Sequence, residues 1–182
     1  MQILKKCILI FNRFNIFLCE KISLIIYPLI FILFYEVVMR YLFNAPTIWV
    51  HELSAYLYSI LFLIGGVYAL IKDEHIKVDI FYSRIKKRNK AILDLFTWLF
   101  FYVFIIVLLR QSIEYAYISF LRKEVSFSVW APPIWPLKFL IFLVAFLMLI
   151  QGVFKTINSL YLIFTGKELL SETEFPKREN TL

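Results

Sequence analysis

Glu36 and Arg40 lie four residues apart, and His51 and Glu52 follow within the same stretch, EVVMRYLFNAPTIWVHELS. Long apolar runs flank it, ISLIIYPLIFILFY before and AYLYSILFLIGGVYALI after. Charges beside such runs are costly in lipid and need a use. Glu36 and Arg40 share a helical face, in the order that favours pairing. Arg110 and Glu114 repeat the spacing later in the chain. With Glu52, these five residues fall near the ends of three apolar runs and form a candidate polar cluster at one depth. Two chemistries compete for it. Ion pairing between helices is the simpler use, and a proton or substrate pathway is the other.

Other chemistries lack their residues. A four-span cytochrome needs facing histidine pairs. This chain has two histidines, His51 and His75, at opposite ends of one apolar run. About 24 residues of helix, roughly 36 Å, would separate them. Cys7 and Cys19 form no CxxC pair and read as ordinary thiols. No GxSxG, HExxH or phosphate-binding loop appears. No catalytic, cofactor-binding or metal-ligating set is therefore assigned.

The elements that must position these residues are membrane helices. The chain has 182 residues, is 62% hydrophobic and has a mean hydropathy of +0.78. A soluble domain of this size could not bury so much apolar side chain. Four segments are long enough to cross a bilayer, at about 22–42, 48–71, 91–117 and 134–164. The fold class is thus an all-α integral membrane protein, one four-helix domain over 1–166, with a polar tail over 167–182. Pro28 predicts a kink in the first span. Asn44 and Pro46 predict a tight turn, so the first two spans form an antiparallel hairpin.

Two further segments read as amphipathic. At the N-terminus, Asn12, Asn15 and Cys19 share one helical face. That segment either lies on the membrane surface or extends the first span. In the middle connection, HIKVDIFYSRIKKRNK has apolar Ile76, Val78, Ile80, Phe81 and Ile85 with basic residues clustered after them, which predicts a short interfacial helix. Three prolines and two tryptophans in SFSVWAPPIWPLK predict an ordered loop at the opposite interface.

Charge sets the orientation. Lys5, Lys6 and Arg13 precede the first span. Lys72, Lys77, Arg84, Lys86, Lys87, Arg88 and Lys90 fill the middle connection, and Lys167, Lys177 and Arg178 follow the last span. The other two connections carry only Arg40, Arg122 and Lys123. Both termini and the middle loop are therefore expected in the cytoplasm. These basic residues flank spans and build no domain of their own, so nucleic acid is not an expected partner. On the second span, Ala55, Ser59 and Gly66 fall near one face. Small residues allow close backbone approach, so this face is expected to pack on another helix or on a partner subunit.

The order of these features resembles a known family. RYLFNAPTIWVHELSAYL is followed by GGVYALIKDEHIKVDIF, a third span, and SFSVWAPPIWPLKFLIFLVAFLMLIQ. This is similar to the small membrane subunit of tripartite ATP-independent periplasmic (TRAP) transporters, the DctQ/SiaQ type. The matching residues are Arg40, Tyr41, Asn44, Pro46, Trp49 and Glu52, then His75, Ile76, Lys77, Val78 and Asp79, then Ser126, Trp130, Pro133, Pro136 and Lys138. The resemblance spans about 24–152. It implies a bacterial inner-membrane protein with two partners, a large sodium-coupled permease subunit and a periplasmic solute-binding protein delivering an organic acid. The small subunit would be a fixed scaffold, without cofactor or enzymatic activity. Glu36, Arg40 and Glu52 would then be structural. One departure is His51-Glu52, where many relatives show two acids, so the resemblance gives Glu52 no proton-relay role. The competing reading is a self-contained proton-coupled exporter that uses Glu36.

Overall fold

The structure, a computed structural model, describes residues 2–72 and 87–165. His75, Lys77, Asp79, the amphipathic middle segment and the tail over 167–182 lie outside the described residues. Among the described residues five helices follow one another: α1 (Gln2–Ser23), α2 (Ile26–Tyr41), α3 (Trp49–Lys72), α4 (Lys87–Leu121) and α5 (Trp135–Thr165). Together they give four helices long and apolar enough to span a membrane, with α1 and α2 forming one of them.

Pro28 explains the break between α1 and α2. It has no N–H to give the Leu24 carbonyl one turn back. Tyr27 N–H donates to that carbonyl instead, at 3.2 Å. Leu24 N–H to the Lys21 carbonyl and Ile25 N–H to the Ile22 carbonyl tighten the same turn. Such three-residue bonds wind the backbone more tightly than an α-helix. The helical path then resumes through α2.

The helices form an open array. α4 packs along α5, α5 along α3, and α3 along α1 and α2. Ile16 of α1, Val67 and Ile71 of α3 and Val144 of α5 share one buried cluster. Ile8 continues the seam between α1 and α5, against Phe154, Ile157 and Tyr161. The polar stripe of α1 therefore serves the protein interior. Asn12 and Asn15 are buried, while Ile10, Phe14 and Phe17 of the same helix are exposed. Asn15 Nδ2 donates to the Phe11 carbonyl at 2.9 Å, and the Cys19 thiol donates to the Ile64 carbonyl at 3.7 Å. α1 and α5 run antiparallel, with Ile8 beside Ile157 and Ile16 beside Val144. That register puts buried Asn12 and buried Gln151 at one level of the seam. Asn12 Nδ2 and Oδ1 and Gln151 Oε1 are buried there without a hydrogen-bond partner among the described residues.

The tightest contact lies between α4 and α5. A Cβ on Gly152 would stand 2.7 Å from Phe101 and 3.4 Å from Trp98. Trp98 and Phe101 meet edge to face at 5.0 Å. Beside them the Tyr102 and Thr156 hydroxyls bond at 2.7 Å. Buried Ser112, Ala116 and Ser119 line α4 further out. These small residues set the helix–helix approach. The stripe singled out on α3 does not do so within this chain: Ala55 is exposed, and a Cβ on Gly66 would meet nothing within 4 Å. α3 turns that face away from both α5 and α1.

Gly152→Leu should break the α4–α5 seam, since overpacking of a close contact costs about 1–3 kcal/mol. The thermal midpoint of the detergent-solubilised chain should fall, and Phe101→Ala should restore part of it. Gly66→Leu should leave the midpoint where it was.

Candidate functional site: the polar ties at the outer helix ends

The end of α2 is built around Glu36. Its Oε1 accepts from Arg40 Nη2 at 2.7 Å and from Arg40 Nε at 3.2 Å. Its Oε2 accepts from the Thr47 backbone N–H at 3.2 Å and from the Thr47 hydroxyl. The Glu36 side chain is 13% exposed and that of Arg40 is 56% exposed, so the acid is shielded and the base reaches outward. Thr47 lies just before α3, so Glu36 staples the two arms of the hairpin together. The backbone between them makes this possible. Asn44 adopts φ 52°, a left-handed conformation that asparagine tolerates, and Ala45 N–H returns to the Met39 carbonyl at 3.0 Å. Pro46 then prevents the helix from continuing. Tyr35 stacks on Trp49 across the same gap, with centroids 6.1 Å apart.

A second tie fixes the loop between α4 and α5 onto α3. Ser126 Oγ donates to Glu52 Oε1 at 2.6 Å. One turn later on α3, the Tyr56 hydroxyl donates to the Pro133 carbonyl at 2.9 Å. The loop has its own order. α4 ends with Lys123 at φ 48°, Lys123 N–H bonded to the Phe120 carbonyl and Glu124 N–H to the Ser119 carbonyl. That pair of bonds satisfies the last carbonyls of a helix. Ser126 N–H then donates to Pro132, and Ile134 N–H to Glu124, around a bridge between Val125 and Pro133. Lys138 Nζ closes the base of the loop on Glu124 Oε2 at 2.6 Å. At the tip, Phe127 is 103% and Val129 85% exposed, with Trp130 beside them.

The five-residue cluster is thus divided. Glu36 and Arg40 pair with each other, and Glu52 turns to Ser126. Arg110 and Glu114 are exposed on α4, and no ion pair joins them to the other three among the described residues. The reason is the helix order: α5 stands between α4 and α3. Similar depth along the helices did not mean proximity across them. The motif residues fare differently. Asn44 and Pro46 shape the turn, Trp49 stacks on its far side, and Ser126, Pro133 and Lys138 each hold one bond of the loop. Trp130 is exposed, and Pro136 lies in the first turn of α5, where a missing N–H costs nothing. Sequence reasoning missed Thr47, Tyr56 and Glu124. Tyr56 carried a signal, since it follows Glu52 by one helical turn.

No group of three His, Cys, Asp or Glu could hold a metal ion among the described residues. What the arrangement does is mechanical: it fixes the α2–α3 and α4–α5 connections at one end of α3.

Comparison with known proteins gives one family. The family model described as "Tripartite ATP-independent periplasmic transporters, DctQ component" matches residues 29–161. No curated protein sequence matches the chain. The matched region begins within α2 and ends within α5, and so takes in both ties.

Lys138 holds the Glu124 carboxyl below its ordinary value of 4.5. A lowered carboxyl stabilises the folded loop fully above 4.5, and the contribution fades as pH falls through the lower folded value. Proteolytic cleavage of the loop should therefore stay constant from neutral pH to about pH 5 and rise only below 4.5. Lys138→Gln should raise cleavage at neutral pH and flatten that rise, because the carboxyl then titrates more alike in the folded and unfolded loop. Ser126→Ala should leave Glu52 without its donor and lower stability by about 1–3 kcal/mol, read as a fall in thermal midpoint.

Proposed function

This chain belongs to the DctQ component family of tripartite ATP-independent periplasmic transporters, and from that membership we propose that it acts as a fixed scaffold beside the transporting subunit. It is a small permease subunit and a multi-pass protein of the inner membrane. In this reading a large subunit carries an organic acid together with sodium, and a periplasmic binding protein delivers the acid. The present chain moves no solute and catalyses no reaction. It holds the stationary part of the large subunit and widens it in the bilayer.

The observation that carries the scaffold role is the saturation of Glu36. A coupling carboxylate must take and release a proton or an ion during transport. Glu36 instead receives four hydrogen bonds, from Arg40 and Thr47, in a staple that closes the first hairpin. The exporter reading loses its coupling group. The open array supports the scaffold role as well. Apolar residues cover most of α2 and α4 on their outer sides, and α3 presents Ala55, Tyr58, Phe62 and Gly66 on a free face. We place the large subunit on that α3 face, where small residues permit close approach. The exposed tip at Phe127 and Val129 lies on the side from which a binding protein would dock.

Both termini are placed in the cytoplasm, on the distribution of basic residues. Reporter fusions after Asn44 or Ser128 should read periplasmic, and fusions after Lys87 cytoplasmic.

Reconstitution tests the function. Liposomes holding this chain alone should show no solute uptake. Adding the large subunit, the binding protein and an inward sodium gradient should produce it. Uptake or export by the chain alone would return the exporter reading. Gly66→Leu should lose the co-purifying large subunit while the chain keeps its own thermal midpoint, and Leu143→Phe should keep both.

A further inference from the structure

The outer face of α1 carries a groove of about 480 Å³ that none of the foregoing uses. Its floor is Leu9, Ile10, Phe14 and Phe17, and Lys6 and Arg13 stand over it. Lys6 and Arg13 are exposed, and neither has an ion-pair or hydrogen-bond partner among the described residues. Two unpaired cations thus flank an apolar surface with nothing acidic on it.

The level of the groove narrows its occupant. Ile71 packs in one cluster with Ile16 of α1 and accepts a bond from Lys155 Nζ of α5 at 3.4 Å. Ile71 therefore marks a level shared by α1, α3 and α5. Arg13, Lys72 and Lys155 all stand within about one helical turn of it. Lys72 lies over the Tyr68 ring, and Lys155 is engaged by α3. Of the three cations in this belt, Arg13 is the one turned to the outside. A belt of Lys and Arg at one level marks the cytoplasmic headgroup plane, where anionic lipids attract basic side chains. Phe14 and Phe17 lie on the hydrocarbon side of Arg13. Lys6 lies two turns toward the cytoplasm, and both side chains are long enough to converge on one anion.

We propose that this groove binds an anionic phospholipid, its headgroup phosphate held between Lys6 and Arg13 and its acyl chains laid along Ile10, Phe14 and Phe17. The lipid fills the outer side of the helix whose inner side carries the buried asparagines. It covers the α1 edge of the array, where no described helix packs over these residues. A phosphate alone would leave the aromatic floor uncovered, and a zwitterionic lipid would bring a competing positive charge.

Native mass spectrometry of the full chain tests this, alone and with the large subunit co-purified. The probes are phosphatidylglycerol and phosphatidylcholine with identical acyl chains, and inorganic phosphate. Phosphatidylglycerol should bind in preference to phosphatidylcholine. The double variant Lys6→Gln/Arg13→Gln should weaken that binding roughly 30-fold, a factor of about five for each cation. Lys21→Gln, an exposed cation of α1 outside the groove, should not weaken it. The thermal midpoint of the double variant, taken in parallel without lipid, separates lost binding from lost folding. Equal binding of the two lipids, or an unchanged preference in the double variant, overturns the proposal. Displacement of the lipid by inorganic phosphate would make this a bare anion site. Loss of the lipid when the large subunit is present would give the groove to that protein.

Discussion

Hydrocarbon solvates a leucine as well as a neighbouring helix does, so burial of apolar surface cannot by itself hold these helices together. Cohesion has to come from close backbone approach and from polar groups that find partners. The chain places each device where it is needed. Gly152 lets α5 settle under Phe101 and Trp98. The Tyr102–Thr156 bond locks the same seam. Glu36 and Glu52 secure the two outer connections to the α2–α3 hairpin and to α3. Across α1 and α3 the Cys19 thiol bonds the Ile64 carbonyl. Many large aromatic residues are left for the outside, and none is among the fully buried described residues.

The resulting shape suits a scaffold. A closed four-helix bundle would hide its seams and present one rounded surface. An array ordered α4, α5, α3 and then α1 with α2 has two broad faces and little interior. α2 has a single buried residue, Leu29, and touches the rest through α3. Such a protein gains width cheaply, and it needs neighbours, protein or lipid, along most of its length.

Much of this was legible in the sequence, for local reasons. Span length is read from apolar runs, because the bilayer thickness sets it. Asn44 and Pro46 announce a turn through their own backbone preferences, and Pro28 announces the break through its missing donor. Glu36 and Arg40 are one helical turn apart, so their pairing follows from helix geometry. Glu52 and Ser126 are 74 residues apart, and nothing local links them. The small-residue rule also named Ala55, Ser59 and Gly66 while Ser112, Ala116, Ser119 and Gly152 form the seam inside the chain. The rule recognises a face able to approach a neighbour. It does not say which helix stands opposite, and that depends on the order in which helices are laid side by side.

The seam between α4 and α5 is self-sufficient: its glycine, its aromatic pair and its hydroxyl bond all come from these two helices, joined by a short ordered loop. The hairpin of α2 and α3 is likewise closed by its own residues, Glu36 with Thr47 and Tyr35 with Trp49. Ribosomal synthesis delivers the second unit last. During insertion the early hairpin can wait in the bilayer as a finished piece, with its tip already stapled, until α5 arrives to offer Val144 and Gln151 to α1. The chain is thus suited to being built as two prefabricated halves joined late along α3 and α1. A lesion in either staple would be felt by the insertion machinery before any transporter exists to be impaired.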